Sequence, residues 1–178
     1  MKVTPKVLNY LLSMTERELG YNYLLPSDFE QAQVSMHLDG KRLLGYCITR
    51  TFTPNELRKH LNMVKSCFPF YINHAYNVSL MNVVVVTKDR QYGAYARKLI
   101  ENSLGDLHQL KMEAVCAVTK KTVKNNSVYL SDAYDKSGFV QVKTFADYWR
   151  DNLDFKCNTC GKKSCTCQAV LYCKPLIK

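Results

Sequence analysis

Residues 83–100 constrain the fold more than any other part of this chain. The segment opens with four consecutive valines, continues through a short polar turn, and then shows a helical apolar spacing that includes Leu99 and Ile100. β-branched runs favour strands, and a polar turn before periodic apolar residues favours the start of a helix. The segment therefore predicts a buried strand that leads into a helix through a turn of small residues.

The turn at residues 91–96 is suited to contact with an anion. A helix begins with amide N–H groups that have no partner inside the helix, and it carries a partial positive charge there. Gly93 and Ala94 are small, so phosphate oxygens can approach the backbone closely at these positions. An ordinary strand-to-helix connection is the alternative interpretation of this segment taken alone.

A second informative helix is predicted after the polar stretch 125–127. These three residues are suited to cap a helix that carries Tyr129 and Tyr134 among its apolar positions. Gly138 would end that helix, and a strand would follow over residues 139–142.

With both motifs in place, the chain resembles the GNAT family of acyl-CoA-dependent N-acetyltransferases. Residues 91–96 are similar to that family's phosphate-binding motif, Gln/Arg-x-x-Gly-x-Gly/Ala, and Leu99 and Ile100 stand at the positions of its paired helix leucines. Residues 126–139 are similar to the later helix of the family, which ends in Tyr-x-x-x-Gly-Phe.

Two positions depart from the family pattern. Ala94 stands where the family usually has its first glycine, and Leu80 falls near the position of its frequent general-base glutamate. Residues 78–86 contain no carboxylate. The base that would accept the proton of the attacking amine is therefore unassigned; in order of preference the candidates are His74, Tyr76 and Asp132, with a water relay as an equal possibility.

The resemblance implies one α/β (α+β) domain over residues 1–178, with a mixed, mostly antiparallel central sheet flanked by helices and opening near residues 83–86. It implies an N-acetyltransferase that moves an acetyl or other acyl group from acetyl-CoA to a primary amine of a small molecule or protein. Tyr134 would protonate the departing CoA thiolate. The implied cofactor-binding residues are Val84, Val86, Gln91, Tyr92, Gly93, Ala94, Tyr95, Ala96, Arg97 and Asn126.

The cysteines at 157, 160, 165 and 167 have the spacing of a structural metal site. They fall in a Cys-rich loop, residues 151–168, before the predicted last strand. Zinc in structural sites takes four tetrahedral ligands, and a Cys-x-x-Cys turn supplies two of them. Zinc is the preferred interpretation, and a redox or iron site or unligated thiols are the alternatives. Four protein ligands would leave no open position for catalysis.

The net charge of +10 favours anionic partners. The phosphates of CoA would use part of this charge, and a solvated basic surface would account for the remainder. Nucleic-acid binding is the other interpretation, which makes a nucleic-acid-binding or nucleic-acid-modifying protein on this fold the alternative function. Basic residues lie both in the predicted cofactor region and in the cysteine loop: Arg90, Arg97, Lys98, Lys124, Lys156, Lys162 and Lys163.

The sequence favours a cytoplasmic protein without a membrane partner. No apolar run approaches the roughly 20 residues that a membrane-spanning helix needs, and the first residues lack a signal-peptide pattern. In a reducing compartment the eight cysteines are expected to be thiols or thiolate ligands rather than disulfides.

Local cap and turn signals predict the remaining elements. Thr4 before Pro5 predicts a helix over residues 5–19, and Ser27 with Glu30 predicts a capped helical turn. Another helix should begin after Thr53, with a buried stripe of Leu57, Leu61 and Val64. Strands are predicted at residues 32–38, 43–52, 112–118, 140–149 and 169–176, the first two joined by a tight Asp39-Gly40 turn.

Overall fold

The computed structural model describes residues 3–20, 24–30, 32–89, 91–122, 128–149 and 165–177, together with Cys157 and Cys160. Several residues from the sequence predictions lie outside this set: Arg90, Lys124, the cap stretch 125–127 with Asn126, and the loop lysines Lys156, Lys162 and Lys163.

A sheet of six strands forms the centre of the described structure, in the order β1-β2-β3-β4-β6-β5. All neighbouring strands are antiparallel except β3 and β4, which are parallel. The mixed, mostly antiparallel sheet is thus confirmed. The strands are β1 (Gln33–Asp39), β2 (Arg42–Phe52), β3 (Val78–Val86), β4 (Ala114–Lys121), β5 (Val140–Phe145) and β6 (Gln168–Pro175).

Helices cover both faces of the sheet. They are α1 (Pro5–Leu19), α2 (Pro54–Leu61), α3 (Phe70–Asn73), α4 (Tyr92–Gln109) and α5 (Ser131–Lys136), with 3-10 turns at Pro26–Phe29 and Lys65–Cys67. Within the described ranges, no helix has both the length and the apolar character needed to cross a bilayer.

The parallel pair β3–β4 is short. Its register runs from Val78 opposite Ala114 to Met81 opposite Ala117, and the two strands pair no further along the described chain. Directly after the last of these pairs, Asn82 of β3 has no partner on β2. An extra residue of this kind bends a strand and increases its twist. The sheet therefore opens between β3 and β4 over the second half of β3, as predicted.

The side chains of β3 point alternately to the two faces of the sheet, and the helices that they contact form two layers. The side chain of Val84 lies in the cluster formed with α4 and α5, whereas that of Val83 packs with α1. Leu80 packs with α2 and α3. Because successive strand residues point to opposite faces and Asn82 is an extra residue, Leu80 and Val83 share one face. Helices α1, α2 and α3 thus lie on one side of the sheet, and α4 and α5 on the other.

The predicted starts of α1 and α2 are confirmed, and so are the capping hydrogen bonds at Thr4 and Thr53. The Thr4 hydroxyl accepts from the Val7 N–H at 3.4 Å. The Thr53 hydroxyl accepts from the Glu56 N–H at 3.4 Å, and the Glu56 carboxylate accepts from the Thr53 N–H at 2.8 Å. These bonds satisfy amide groups that the first helical turn leaves open.

Other local predictions were wrong at their edges. Helix α2 ends at Leu61 because Asn62 adopts a left-handed conformation with φ 50°, so Val64 is 67% exposed rather than buried. In the 3-10 turn, Asp28 accepts from the Leu25 N–H at 2.8 Å, which replaces the predicted Ser27–Glu30 cap. Strand β5 ends four residues earlier than predicted, at Phe145.

Candidate functional site

The opening between β3 and β4 exposes one backbone edge of β3. The Thr87 N–H donates to the Leu44 carbonyl of β2 at 2.8 Å, whereas the Val84 carbonyl accepts from the Tyr129 hydroxyl at 3.4 Å. Backbone polar groups of alternate strand residues point to the same side. The N–H and C=O groups of Val84 and Val86 consequently face the opening, away from β2.

Tyr129 crosses this opening. Its N–H donates to the Lys120 carbonyl of β4 at 3.0 Å, and its own carbonyl accepts from the Thr119 hydroxyl at 2.9 Å. Its hydroxyl reaches the opposite strand at Val84. The sequence predicted Tyr129 as a helix residue without a site role, and no local signal indicates its place, because that place depends on pairing with β4.

A second tyrosine lies beside Tyr129 at the start of α4. The rings of Tyr92 and Tyr129 are 6.2 Å apart. Burial raises the pKa of Tyr92, and a hydrogen bond with the Tyr129 side chain opposes that shift. The two phenols thus place polar groups at one end of the opening.

Helix α4 begins without a side-chain cap. Gln91 occupies the cap position but makes no cap bond, and the first turn contains no acidic residue. The Gln91 N–H is satisfied by the Asp89 carboxylate at 2.8 Å. Gly93 and Ala94 are exposed, and a Cβ placed on Gly93 would meet no atom within 4 Å. The Tyr92 N–H donates to the Asp89 carbonyl at 3.2 Å, which leaves the exposed turn at Gly93 and Ala94 for contact with an anion.

Thr87 links the open strand edge to this helix start. Its hydroxyl oxygen is buried and has no hydrogen-bond partner among the described residues. A buried hydroxyl without a partner is energetically unfavourable. The opening thus offers the strand amides and then, past Thr87, the uncapped helix start, which fits the amides and phosphates of a CoA-type molecule.

The other predicted turn residues have varied surroundings. Arg97 is paired with Glu101 one turn further along α4, at 2.8 Å, so its charge lies away from the helix start. Ala96 is fully buried in the core. The Tyr95 ring lies 5.7 Å from that of His37 on β1. Asn126 cannot be placed, because it lies outside the described residues.

Tyr134 lies on α5, on the same side of the sheet as α4. It is 3% exposed and shares a cluster with Val84. Its ring stacks on Tyr172 at 5.2 Å and meets the edge of Phe139 at 5.2 Å. The structure therefore brings the predicted proton donor into the same core region as the open strand.

The three candidate bases are not equivalent. Asp132 is exposed on the first turn of α5, two residues before Tyr134. Burial raises the pKa of Tyr172, and the charges of Asp135 and Asp132 add to that shift. Asp132 is thus the candidate that shares an element with the predicted donor, although residues two positions apart on a helix point in different directions.

His74 and Tyr76 lie before the first residue of β3, whereas the sheet opens along its second half. The His74 ring stacks on Phe70 at 3.9 Å, and the Tyr76 N–H donates to the Glu113 carboxylate at 3.1 Å. Leu80, at the family's glutamate position, is 1% exposed in the core. The structure therefore does not bring His74 and Tyr76 together with Tyr134.

The four loop cysteines form a cluster. The Sγ atoms of Cys157, Cys160, Cys165 and Cys167 all lie within 4.8 Å of one another, and Cys160 and Cys165 are 4.0 Å apart. Zinc–sulfur bonds of about 2.3 Å in a tetrahedron place neighbouring sulfurs about 3.8 Å apart. The spacing of these thiols therefore fits a four-coordinate metal ion, and burial raises the pKa of Cys165 and of Cys167.

The cluster lies against the part of β4 that β3 leaves unpaired. The Lys120 ammonium is 3.6 Å from the Cys157 sulfur and 5.8 Å from the centre of the Trp149 ring. The Trp149 N–H donates to the Gln168 carbonyl of β6 at 3.2 Å. Cys173, a spare candidate ligand, instead contacts Cys116 at 3.2 Å between Sγ atoms, away from the cluster.

Comparison with known proteins identifies the fold. No protein-family model matches the sequence, and no curated protein matches it. Among solved structures, the ribosomal-protein-S18-alanine N-acetyltransferase from Escherichia coli has 12% identity and a TM-score of 0.66, covering 100% of this chain and 93% of its own. An acetyl-CoA-bound GNAT family acetyltransferase from Elizabethkingia anophelis has 12% identity and a TM-score of 0.65, covering 98% and 94%.

A third structure has the same fold and acts on a small molecule by its name. The aminoglycoside 6'-N-acetyltransferase from Enterococcus faecium has 11% identity and a TM-score of 0.62, covering 98% of this chain and 93% of its own. The chain therefore has the fold of the GNAT acetyltransferases along almost its whole length, as its motifs predicted.

Proposed function

We propose that this protein is an acyl-CoA-dependent N-acyltransferase that moves an acetyl group from acetyl-CoA to a primary amine. The observation that carries the proposal is the open edge of β3, where the amides of Val84 and Val86 face a gap that leads to the uncapped start of α4. A fold can host several functions, so the argument rests on this site.

Each part of the opening matches one part of the cosubstrate. The amides of Val84 and Val86 would bond the extended pantetheine arm as a neighbouring strand would. The helix start at Gly93 and Ala94 would hold the phosphates. Acetyl-CoA, when bound there, supplies an activated thioester carbonyl.

Tyr134 is the proposed proton donor to the departing thiolate. A phenol with an ordinary pKa of about 10 stays protonated at neutral pH and can give its proton to a stronger base beside it. Burial of Tyr134 against Tyr172 and Phe139 fixes its ring. The acceptor amine would lose its proton to Asp132 or to a water relay, since His74 and Tyr76 lie at the other end of β3.

Binding and turnover test the proposal separately. The full chain should bind CoA by calorimetry and release thiol from acetyl-CoA in the presence of a lysine peptide, a polyamine and an aminoglycoside. Tyr134→Phe should lower turnover by about 100- to 10,000-fold while CoA affinity holds. Tyr172→Phe, the neighbouring buried phenol, is the control and should change turnover little.

Two results would contradict different parts of this proposal. A folded wild-type protein that does not bind CoA rules out the transferase function. Wild-type turnover in Tyr134→Phe removes only the donor assignment and moves it to Tyr129, the other phenol at the opening.

We further propose that Cys157, Cys160, Cys165 and Cys167 hold one structural zinc ion. The sulfur spacing supports four-coordinate binding. A closed site of this kind contributes to folding rather than to the reaction. Metal analysis should find about one zinc per chain, with a sharp fall in Cys157→Ser, Cys160→Ser and none in the control Cys67→Ser. A metal-free wild type with freely titratable thiols would contradict it.

A further inference from the structure

The chain between β2 and β3 forms a surface that the proposed transferase reaction does not use. Helix α2, the 3-10 turn Lys65–Cys67 and helix α3 occupy this connection and pack over β3, β4 and β6, on the face opposite α4. We call their exposed side the α2–α3 surface. It is defined by Arg58, Lys59, Lys65, Phe70 and His74.

Asn73 holds the parts of this surface together. Its side-chain oxygen accepts from the Arg58 guanidinium at 3.2 Å. Its side-chain nitrogen donates to the carbonyls of Lys65 at 3.2 Å and of Phe68 at 3.0 Å. The end of α2, the 3-10 turn and α3 are therefore fixed relative to one another.

Two rings form an exposed aromatic stack on the α2–α3 surface. The Phe70 side chain is 75% exposed, and its ring stacks on His74 with centroids 3.9 Å apart and planes 22° from parallel. The His74 Nδ1 atom lies 3.0 Å from the Phe70 carbonyl oxygen, which fixes the imidazole. Residues one turn apart share a helix face, so Phe70, Asn73 and His74 lie side by side. A solvent-exposed aromatic face of this kind is a platform on which a planar group can stack.

The cations beside the stack take part in no ion pair among the described residues, although the Arg58 guanidinium donates to the side-chain oxygens of Asn55 and Asn73. The ion pairs of the described residues are Arg17–Glu18, Arg50–Asp28 and Arg97–Glu101, none of which involves this surface. The one acidic residue in α2, Glu56, is occupied by the Thr53 N–H and hydroxyl, both at 2.8 Å. The α2–α3 surface therefore presents the charges of Arg58, Lys59 and Lys65 against one carboxylate of α2, Glu56, whose charge interacts with Lys59.

A shallow groove runs along α2 next to these cations. Its volume is about 420 Å³, and its lining combines amides, cations and apolar groups: Asn55, Arg58, Lys59, Asn62, Met63 and Val64. The exposed Val64 side chain offers an apolar contact, and the amides offer both donors and acceptors. Such a groove suits a planar heterocycle whose attached phosphates lie toward the cations.

We propose that the α2–α3 surface binds single-stranded nucleic acid. Single strands are recognised by basic surfaces that track the phosphates and by aromatic side chains that stack on unpaired bases. An acidic peptide would use the cations but would leave the Phe70–His74 stack without a function. This binding does not depend on the transferase reaction, because the surface lies on the other face of the sheet from α4.

The electrostatic part of the proposal is tested by salt dependence. Binding of a fluorescent, mixed-sequence oligoribonucleotide of about 16 nucleotides to the full chain is measured by anisotropy over a range of salt. Arg58→Gln, Lys59→Gln, Lys65→Gln should weaken binding at least tenfold at low salt and reduce the log–log salt slope by about 2. The control Lys6→Gln, Lys41→Gln, Arg42→Gln removes the same charge elsewhere and should keep the slope.

The stacking part is tested at constant charge. Phe70→Ala should weaken binding by about tenfold and leave the salt slope unchanged, because stacking releases no counterions. Tyr10→Ala is the matched control, since Tyr10 is 50% exposed on α1. Phe70 is mostly solvent-exposed, so its replacement should preserve the thermal midpoint and the near-ultraviolet circular dichroism.

Three outcomes would overturn the proposal. The first is no binding by the wild type at low salt. The second is an equal loss of affinity in the two triple variants, which would assign binding to net charge alone. The third is displacement of the oligonucleotide by polyglutamate at equal charge concentration, which would assign the surface to acidic chains instead.

Discussion

Helices α2 and α4 begin in opposite ways. At the start of α2, Thr53 and Glu56 exchange hydrogen bonds and satisfy the first amides from within the helix itself. At the start of α4, Gln91 provides no side-chain cap, the first turn has no acidic residue, and Gly93 has open space above it. Both helices follow a strand of the same sheet, but the cap residues differ in side chain and in backbone conformation, which is extended at Thr53 (ψ 158°) and not at Gln91 (ψ 10°).

The comparison separates a helix start that serves stability from one that is available to a ligand. Uncapped amides cost stability unless water or a ligand satisfies them. The capped start of α2 lies beside the cationic α2–α3 surface, while the uncapped start of α4 lies at the end of the opening that exposes Val84. We therefore expect the amides at the start of α4 to bind an anion and those at the start of α2 not to do so.

The largest expected effect comes from filling the space at the start of α4. Gly93→Val, Ala94→Val should weaken CoA binding by about 100-fold or more, because at least two charge-assisted hydrogen bonds to phosphate would be lost. Calorimetric titration with CoA measures the effect. Asn102→Val, Gly105→Val places the same side chains at exposed positions further along α4 and should bind CoA normally. Equal affinity in both variants would place the phosphate site elsewhere.

The next effect gives α4 what α2 already has. Gln91→Asp places a negative charge at the helix start, as Glu56 does in α2, so it should stabilise the apo protein by about 0.3–1 kcal/mol. The same carboxylate should weaken CoA binding about tenfold by competing with phosphate for the helix start. Urea unfolding and titration report the two changes. A variant that gains both stability and affinity would contradict the interpretation of α4 as an open anion site.

The reciprocal change removes the cap of α2. Thr53→Ala should lower the free energy of unfolding by about 1 kcal/mol and leave CoA affinity unchanged. Thr4→Ala, which removes the cap bond to Val7 at the start of α1, is the matched control and should behave in the same way. Loss of CoA affinity in Thr53→Ala alone would show that the two helix starts are coupled.

The smallest effect is a pH dependence confined to α2. Hydrogen bonds from the Thr53 N–H and side chain lower the pKa of Glu56 below its ordinary value of 4.5. The stabilisation from this cap is therefore present above that value and is lost as the pH falls through the lowered pKa. Below pH 4.5 the thermal midpoint of the wild type should fall slightly more steeply than that of Glu56→Gln. Parallel curves would show that the cap makes no net contribution.

The sequence predicted best what depends on neighbouring residues. The caps at Thr4 and Thr53 each involve a residue three positions away. The starts of α1 and α2 could therefore be predicted from the local sequence alone. The end of α2 was predicted less accurately than its start. Val64 continues the helical spacing of Leu61, but the left-handed Asn62 ends the helix before it.

The candidate site shows the same division. The open half of β3 and the start of α4 were predicted from the resemblance of residues 91–96 to a family motif. This prediction required only the local sequence. Tyr129 could not be found in this way, since its hydroxyl meets Val84 from 45 positions along the chain. The order of residues along the chain already argued against His74 as a site residue. His74 precedes β3, whereas the motif follows β3, so the two lie at opposite ends of the strand.

The short parallel register between β3 and β4 has a mechanical consequence. The chain from Pro5 to Gln109 builds the three strands on one side of this seam, and the chain from Ala114 to Pro175 builds the three on the other. A force that pulls the two chain ends apart is therefore transmitted across the seam, which only four residue pairs close along the described strands. The α2–α3 connection packs across the paired half of the β3–β4 boundary and resists this force. The two halves of the sheet should therefore separate first along the unpaired half, at the opening.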